Sequence, residues 1–184
     1  MGDHVAELCE RAKSGELAAA SELVALFYER IFAYFRRLCG NDEDARDLTQ
    51  RTFSKAWNSL ASFDHRASFN TWLHRIAHNT CVDWRRKGNR LDGQSDEWWE
   101  TCVADEPSPF ENAAEREIAQ QVYALVEQLD EDDREAVHLH YYQDLSLQET
   151  ADALNIPKST LKYRLRNVLN FLRSQTAEPK LRVR

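Results

Sequence analysis

The stretch from Ser146 to Arg166 constrains this chain most. Ser146 with Glu149 three residues later is a capping box. The Ser oxygen accepts from the Glu149 backbone N–H, and the Glu side chain reaches back to the N–H of Ser146. Leu147, Ala151 and Leu154 give the short helix that follows one apolar face. Asn155 suits a left-handed turn. Pro157 suits the first turn of a new helix, where its missing N–H costs nothing. Leu161, Leu165, Val168 and Leu172 then recur at helical spacing, with Lys158, Lys162, Arg164, Arg166 and Arg173 between them. The pattern predicts a helix-turn-helix with a basic second helix.

Charge is segregated around it. Residues 156–184 carry eight Lys/Arg and one Asp/Glu, whereas residues 127–155 carry one and nine. A clustered basic helix is the electrostatic footprint expected on phosphate; a solvated hairpin that binds nothing does not require it. The net charge of −7 argues against a protein that coats nucleic acid indiscriminately. Residues 1–90 have net charge +2, residues 91–117 net −8 and residues 118–184 net −1. A short acidic middle therefore separates two nearly neutral modules. A chain of 184 residues supports one or two small domains.

Gly (five) and Pro (four) are scarce, which favours helix throughout. The expected fold is all-α: two small helical domains, an N-terminal helical bundle and a C-terminal helix-turn-helix bundle, joined by an acidic linker. No apolar run reaches membrane-spanning length and no signal-peptide core opens the chain, so a cytoplasmic protein with no membrane insertion of its own is expected. Cys9, Cys39, Cys81 and Cys102 show no paired spacing and are expected to be reduced.

In chain order, residues 3–13 predict a first helix. A second carries Leu23, Leu26, Phe27, Ile31, Tyr34, Phe35 and Leu38 and ends at Gly40. Asn41 caps a third, whose first turn holds Asp42, Glu43 and Asp44. Ser68 caps a fourth, from Phe69 to about Lys87, with a basic end. Periodicity disappears from Leu91 to Pro109, where only Trp98-Trp99 suggest an anchor. It resumes by Asn112, with Ala119, Val122, Tyr123, Val126 and Leu129 on one face. Asp130 can cap a further helix to about Gln143, with Ala136, Val137, Leu139, His140 and Tyr141 as candidate core.

Two further segments carry a resemblance. Asn41-Asp42-Glu43-Asp44-Ala45-Arg46-Asp47-Leu48-Thr49-Gln50, with Thr52-Phe53 and Ala56-Trp57, is followed by Ala67-Ser68-Phe69-Asn70-Thr71-Trp72-Leu73-His74-Arg75-Ile76-Ala77-His78-Asn79. This resembles region 2 of bacterial sigma factors of the extracytoplasmic-function (ECF) type, and Leu129 to Arg173 resembles region 4. The resemblance implies region 2 over residues 1–90, an acidic linker over 91–117, region 4 over 118–176 and a tail over 177–184. It leaves no room for a region 3 domain.

The resemblance also implies an alternative sigma factor, not an enzyme. It would bind core RNA polymerase, through the largest-subunit coiled coil and the flap region, and would read promoter DNA. Asp47, Leu48, Gln50 and Arg51 would dock on the polymerase. Arg51 departs from the acidic residue usual there. Phe63, Asp64, His65, Arg66, Arg75, Asn79, Arg85 and Arg86 would capture the minus-ten element. Reading an unpaired base needs polar edges beside aromatic faces, Asn suits adenine, and Arg suits phosphate. Trp72, by contrast, lies in the apolar stripe and is expected in the core. Lys158, Ser159, Thr160, Lys162, Tyr163, Arg166 and Asn167 would read the minus-thirty-five element. Tyr163 stands where the family often has a small residue; it can alter base preference or pack down. The linker would thread toward the polymerase cleft or act as a solvated tether. An anti-sigma factor is an implied partner; no cofactor and no metal are implied.

Two rivals remain. His74, His78 and Cys81 share one helix at a spacing that can hold zinc, but no fourth ligand is nearby, and no phosphate loop or nucleophile elbow appears. A plain helix-turn-helix regulator, acting without polymerase docking, would have no need of the Asp47–Gln50 patch or the Phe63–Asn79 segment.

Overall fold

The computed structural model describes residues 2–87 and 121–176, and every described element is helical. Four helices form the N-terminal module: α1 (Gly2–Lys13), α2 (Leu17–Cys39), α3 (Asp42–Ser59) and α4 (Phe69–Arg86), with a 3-10 turn at Leu60–Ser62. The C-terminal module has a helical segment over 121–127, then α5 (Glu131–Val137), α6 (Leu147–Leu154) and α7 (Lys158–Thr176). The linker, Trp98-Trp99, Cys102 and the tail, for which the sequence raises expectations, lie outside the described residues.

The expected caps form. Gly40 ends α2 at φ 74°, a left-handed position that glycine adopts without strain. The side chains of Asn41, Ser68 and Asp130 accept from Asp44, Thr71 and Asp133 backbone N–H groups. The capping box of Ser146 and Glu149 is complete, and Asn155 closes α6 at φ 53°. Pro157 precedes α7 rather than sitting inside its first turn; its carbonyl accepts from Leu161 at 3.1 Å.

One expectation fails after α5. The helix does not run on as α-helix to Gln143; it widens into a π turn over His138–Tyr142, where the Gln143 N–H reaches back to the His138 carbonyl at 3.0 Å. The wider turn rotates the faces. Glu135 and His138 are buried, whereas Tyr141, a candidate core residue, is 51% exposed and His140 is half-buried.

The two modules share one continuous core. Leu23, Ile31, Tyr34, Phe35, Leu48 and Leu73 are buried in the N-terminal part, and Leu139, Leu145, Ala151, Leu161 and Leu165 in the C-terminal part. Leu26 proves 43% exposed, unlike the other six residues of the predicted α2 stripe. α2 packs on α1 and α3, α3 packs on α4, and α6 packs on both α4 and α7. Helix α4 is thus the seam between modules. Cys9, Cys39 and Cys81 are buried free thiols. Burial pushes the Cys39 thiol up to about 12 and that of Cys9 to about 11, so both stay protonated and unreactive.

Candidate functional site

Three surfaces carry the nominated residues. The first is a groove between α3 and α4, lined by Asp47, Gln50, Arg51, Lys55, Asp83 and Lys87 among others. The capped, acidic first turn of α3 fixes that helix's register, and Leu48 anchors it from below. Leu48 is fully buried. It offers no surface to a partner in this arrangement and holds the patch in place from beneath. Asp47 and Arg51, one turn apart, form an ion pair at 2.6 Å, and Lys55 bridges to Asp83 at 3.2 Å. Both pairs are about half exposed, so they remain accessible to an incoming charged surface.

The second surface is the loop before α4 and one side of that helix. Phe63 does not offer a free aromatic face. It is 4% exposed and packs its ring against Phe69 and Trp72, with centroids 5.8 and 5.0 Å away. Trp72, expected in the core, is partly buried against it. Asp64 and Arg66 are exposed and paired at 3.0 Å. His65 is held in a left-handed conformation at φ 60°, and its Nε2 lies 2.6 Å from Glu10 on α1. Lys13 donates to the Phe63 carbonyl at 2.6 Å. Hydrogen bonds from Lys13 and then His65 hold the Glu10 carboxyl below its ordinary range. Helix α1 therefore shapes this loop; sequence reasoning missed it, because the contacts span 50 and 55 residues and follow no local pattern.

Along α4, Arg75, Asn79 and Arg86 are exposed. Arg85 is not: it turns inward, 3.3 Å from Glu135 and 3.5 Å from Glu131 of the other module. More contacts cross the seam. Ser68 and Thr71 donate to Glu149 at 3.2 and 3.1 Å, and Arg75 donates to Asn155 at 3.4 Å. Hydrogen bonds from Ser146, Thr71 and Ser68 outweigh the effect of burial, so the Glu149 pKa is lowered.

The third surface is α7. Leu161, Leu165 and Val168 are buried, which turns Lys158, Ser159, Lys162, Tyr163, Arg166 and Asn167 outward; Thr160 is half-buried. Tyr163 is 65% exposed, so it projects with the basic row and does not pack down. Arg164 bonds Asp132 at 2.9 Å and ties α7 to the start of α5. Among the described residues, no group of three His, Cys, Asp or Glu side chains is arranged to hold a metal ion, and no helix is long and apolar enough to cross a membrane.

This arrangement matches known proteins over both modules. The model of sigma-70 region 2 matches residues 23–91, and that of sigma-70 region 4 matches residues 119–172. The ECF RNA polymerase sigma factor SigW of Bacillus subtilis is 30% identical over 90% of this chain and 93% of its own length. The chain belongs to the ECF sigma factors. SigX of the same organism is 31% identical over 80% of this chain and 78% of its own. Among solved structures, CnrH in complex with the cytosolic domain of CnrY superposes with a TM-score of 0.68 at 26% identity, over 97% of this chain and 100% of that one. The sigma factor RpoE of Bartonella quintana, in complex with the anti-sigma factor NepR, shares the fold: the TM-score is 0.63 at 22% identity, over 86% of this chain and 98% of that one. This ECF sigma factor is an alternative sigma factor that directs transcription, and its two matched regions fall one on each packed module, with α1 lying outside the region 2 match.

Proposed function

We propose that this sigma factor reads its promoter in two parts while docked on core RNA polymerase in the cytoplasm. The single observation that carries the reading is the outward row on α7, in which Lys158, Lys162 and Arg166 stand on a helix whose opposite face is locked into the core. Lys and Arg can bond guanine O6 and N7 in the major groove, and Ser and Asn can bond base edges or phosphate. That row would read the minus-thirty-five element as duplex. Asp64, His65, Arg66 and the exposed polar edge of α4, including Asn79, would capture the minus-ten element as single strand. The α3–α4 groove around Asp47, Gln50 and Arg51 would dock on the polymerase. The role is positional: the chain holds two elements at a set spacing and makes or breaks no bond itself.

An anti-sigma factor is a further proposed partner, since the similar CnrH was solved with the cytosolic domain of another protein. Run-off transcription with core polymerase on a promoter library tests the central reading. Initiation is expected only when the sigma factor and core polymerase are both present. Nanomolar sequence-specific duplex binding without polymerase, and no initiation with it, would identify a plain helix-turn-helix regulator instead.

A further inference from the structure

Glu135 is the one fully buried carboxylate among the described residues, 1% exposed. It belongs to the C-terminal module, yet all its polar partners come from the N-terminal one. The Tyr34 hydroxyl donates to Oε1. His78 Nδ1 lies 2.7 Å from the same oxygen, a geometry that requires its Nδ1–H to donate. Arg85 Nη2 lies 3.3 Å from Oε2. Burial, and then the Glu135 charge, push the Tyr34 hydroxyl well above its ordinary pKa, so it stays a donor. A hydroxyl, an imidazole and a guanidinium from α2 and α4 thus converge on one anion.

A carboxylate taken out of water costs several kcal/mol, and only such a set of contacts offsets that. The same donors suit phosphate oxygens equally well, since charge-assisted bonds from Arg and His are what phosphate recognition uses. They also sit beside Arg86, which is 80% exposed, and on the same helix as Arg75 and Asn79.

We propose that Tyr34, His78 and Arg85 form an anion site for a backbone phosphate of minus-ten promoter DNA, and that Glu135 fills it in the closed chain. The C-terminal module then holds the N-terminal one off DNA until docking on polymerase separates them. This rests on the minus-ten reading of α4 and deepens it. The lock acts on one reader only: the basic row of α7 stays exposed while Arg85 and His78 are occupied. Phosphate and Glu135 compete for one site. Apparent DNA affinity therefore falls by the fraction of molecules that are open, and a tenfold excess of closed chain gives about a tenfold loss.

The test uses the full chain without polymerase and a fluorescent pool of forked duplexes with randomised single-stranded arms. Glu135→Gln keeps the size of the side chain, removes its charge and replaces one acceptor oxygen by an NH2 donor, which cannot accept from Arg85. It is expected to bind about five- to tenfold tighter than wild type and to show a larger radius of gyration by small-angle scattering. Glu43→Gln, an equal charge change on exposed α3 surface, is the control and is expected to shift affinity less than twofold. An unchanged affinity in Glu135→Gln, or an equal gain in Glu43→Gln, overturns the lock. Should Glu135→Gln not fold, Glu135→Asp, which keeps the charge but shortens its reach, is read in its place and must also gain affinity. Run-off transcription by wild type separates the two readings. If it initiates normally and Glu135→Gln gains nothing, only the lock fails; if it never initiates, the sigma reading fails with it.

Discussion

Helices α4 and α7 both carry basic residues nominated for DNA, and they differ in what their other faces do. α7 packs its apolar stripe on one side and leaves a continuous polar side to solvent. α4 is packed against α3 on one flank and α6 on the other, so its polar residues occupy the edges of a seam. There they meet the acidic residues of the second module: Arg85 meets Glu131 and Glu135, and Ser68 and Thr71 meet Glu149. A basic side chain can serve as a nucleic-acid ligand only when its own chain leaves it free. By that measure the proposed minus-thirty-five reader is available in this closed form, and the proposed minus-ten reader is partly committed.

The seam also holds two buried histidines, and acid is the strongest way to break it. His74, on α4, is fully buried; its Nδ1 faces the Asn70 carbonyl at 2.9 Å, and burial pushes its pKa down to about 4. His138, at the π turn, is fully buried with no hydrogen-bond partner at either ring nitrogen; burial, then Arg37 and Arg134, push it down to about 3. Both values lie below the 6.5 of a free imidazole. As pH falls below that value the unfolded chain takes up protons that the folded chain refuses, so stability is full above about pH 6.5 and declines toward pH 4. Each group is expected to cost about 2 kcal/mol by pH 5, read as a falling urea midpoint between pH 7.5 and 5. His138→Leu removes one titrating group and an unsatisfied buried polar ring, and should flatten the decline. A midpoint that stays level down to pH 5 would contradict this account.

The contrast between α4 and α7 is sharpened by duplex binding. Lys162→Ala or Arg166→Ala should each weaken minus-thirty-five binding by about 1–3 kcal/mol if the side chain reads a base. If it touches only phosphate, the loss should be uniform across sequences and the salt dependence shallower by about one unit of slope. Arg85→Ala in the free chain should leave this binding unchanged, because its guanidinium is occupied at the seam. Equal losses at Arg85 and Arg166 would remove the distinction.

Local signals made most of the fold legible. Caps at Asn41, Ser68, Asp130 and Ser146 lie within three residues of their partners, and the apolar stripe of each helix needs no knowledge of its neighbours. The candidate site was legible to the level of residue type and helix face. It failed where a distant partner decides the outcome. Phe63 reads as an aromatic face until Phe69 and Trp72 bury it. Arg85 reads as a phosphate ligand until Glu135, fifty residues on, takes it. The π turn at His138–Tyr142 has no sequence pattern distinct from a helix, and Tyr141 within it faces outward.

The polymerase groove offers the smallest change in stability and so the cleanest separation of fold from function. Asp47 and Arg51 form an i,i+4 pair at 2.6 Å with both side chains about half exposed. Such a pair stabilises a helix by only about 0.3–0.5 kcal/mol. Asp47→Ala should therefore leave the melting temperature within about 2 °C of wild type. If the groove docks on polymerase through this patch, co-purification with core polymerase should nonetheless drop sharply, along with run-off transcription. The double exchange Asp47→Arg with Arg51→Asp keeps the pair and the net charge but inverts the local field. Continued loss of docking in the exchanged protein means that the partner reads the order of the charges, which would also explain an Arg at position 51. Restored docking would mean that the helix face matters only as a scaffold, and the groove would lose its claim to specificity.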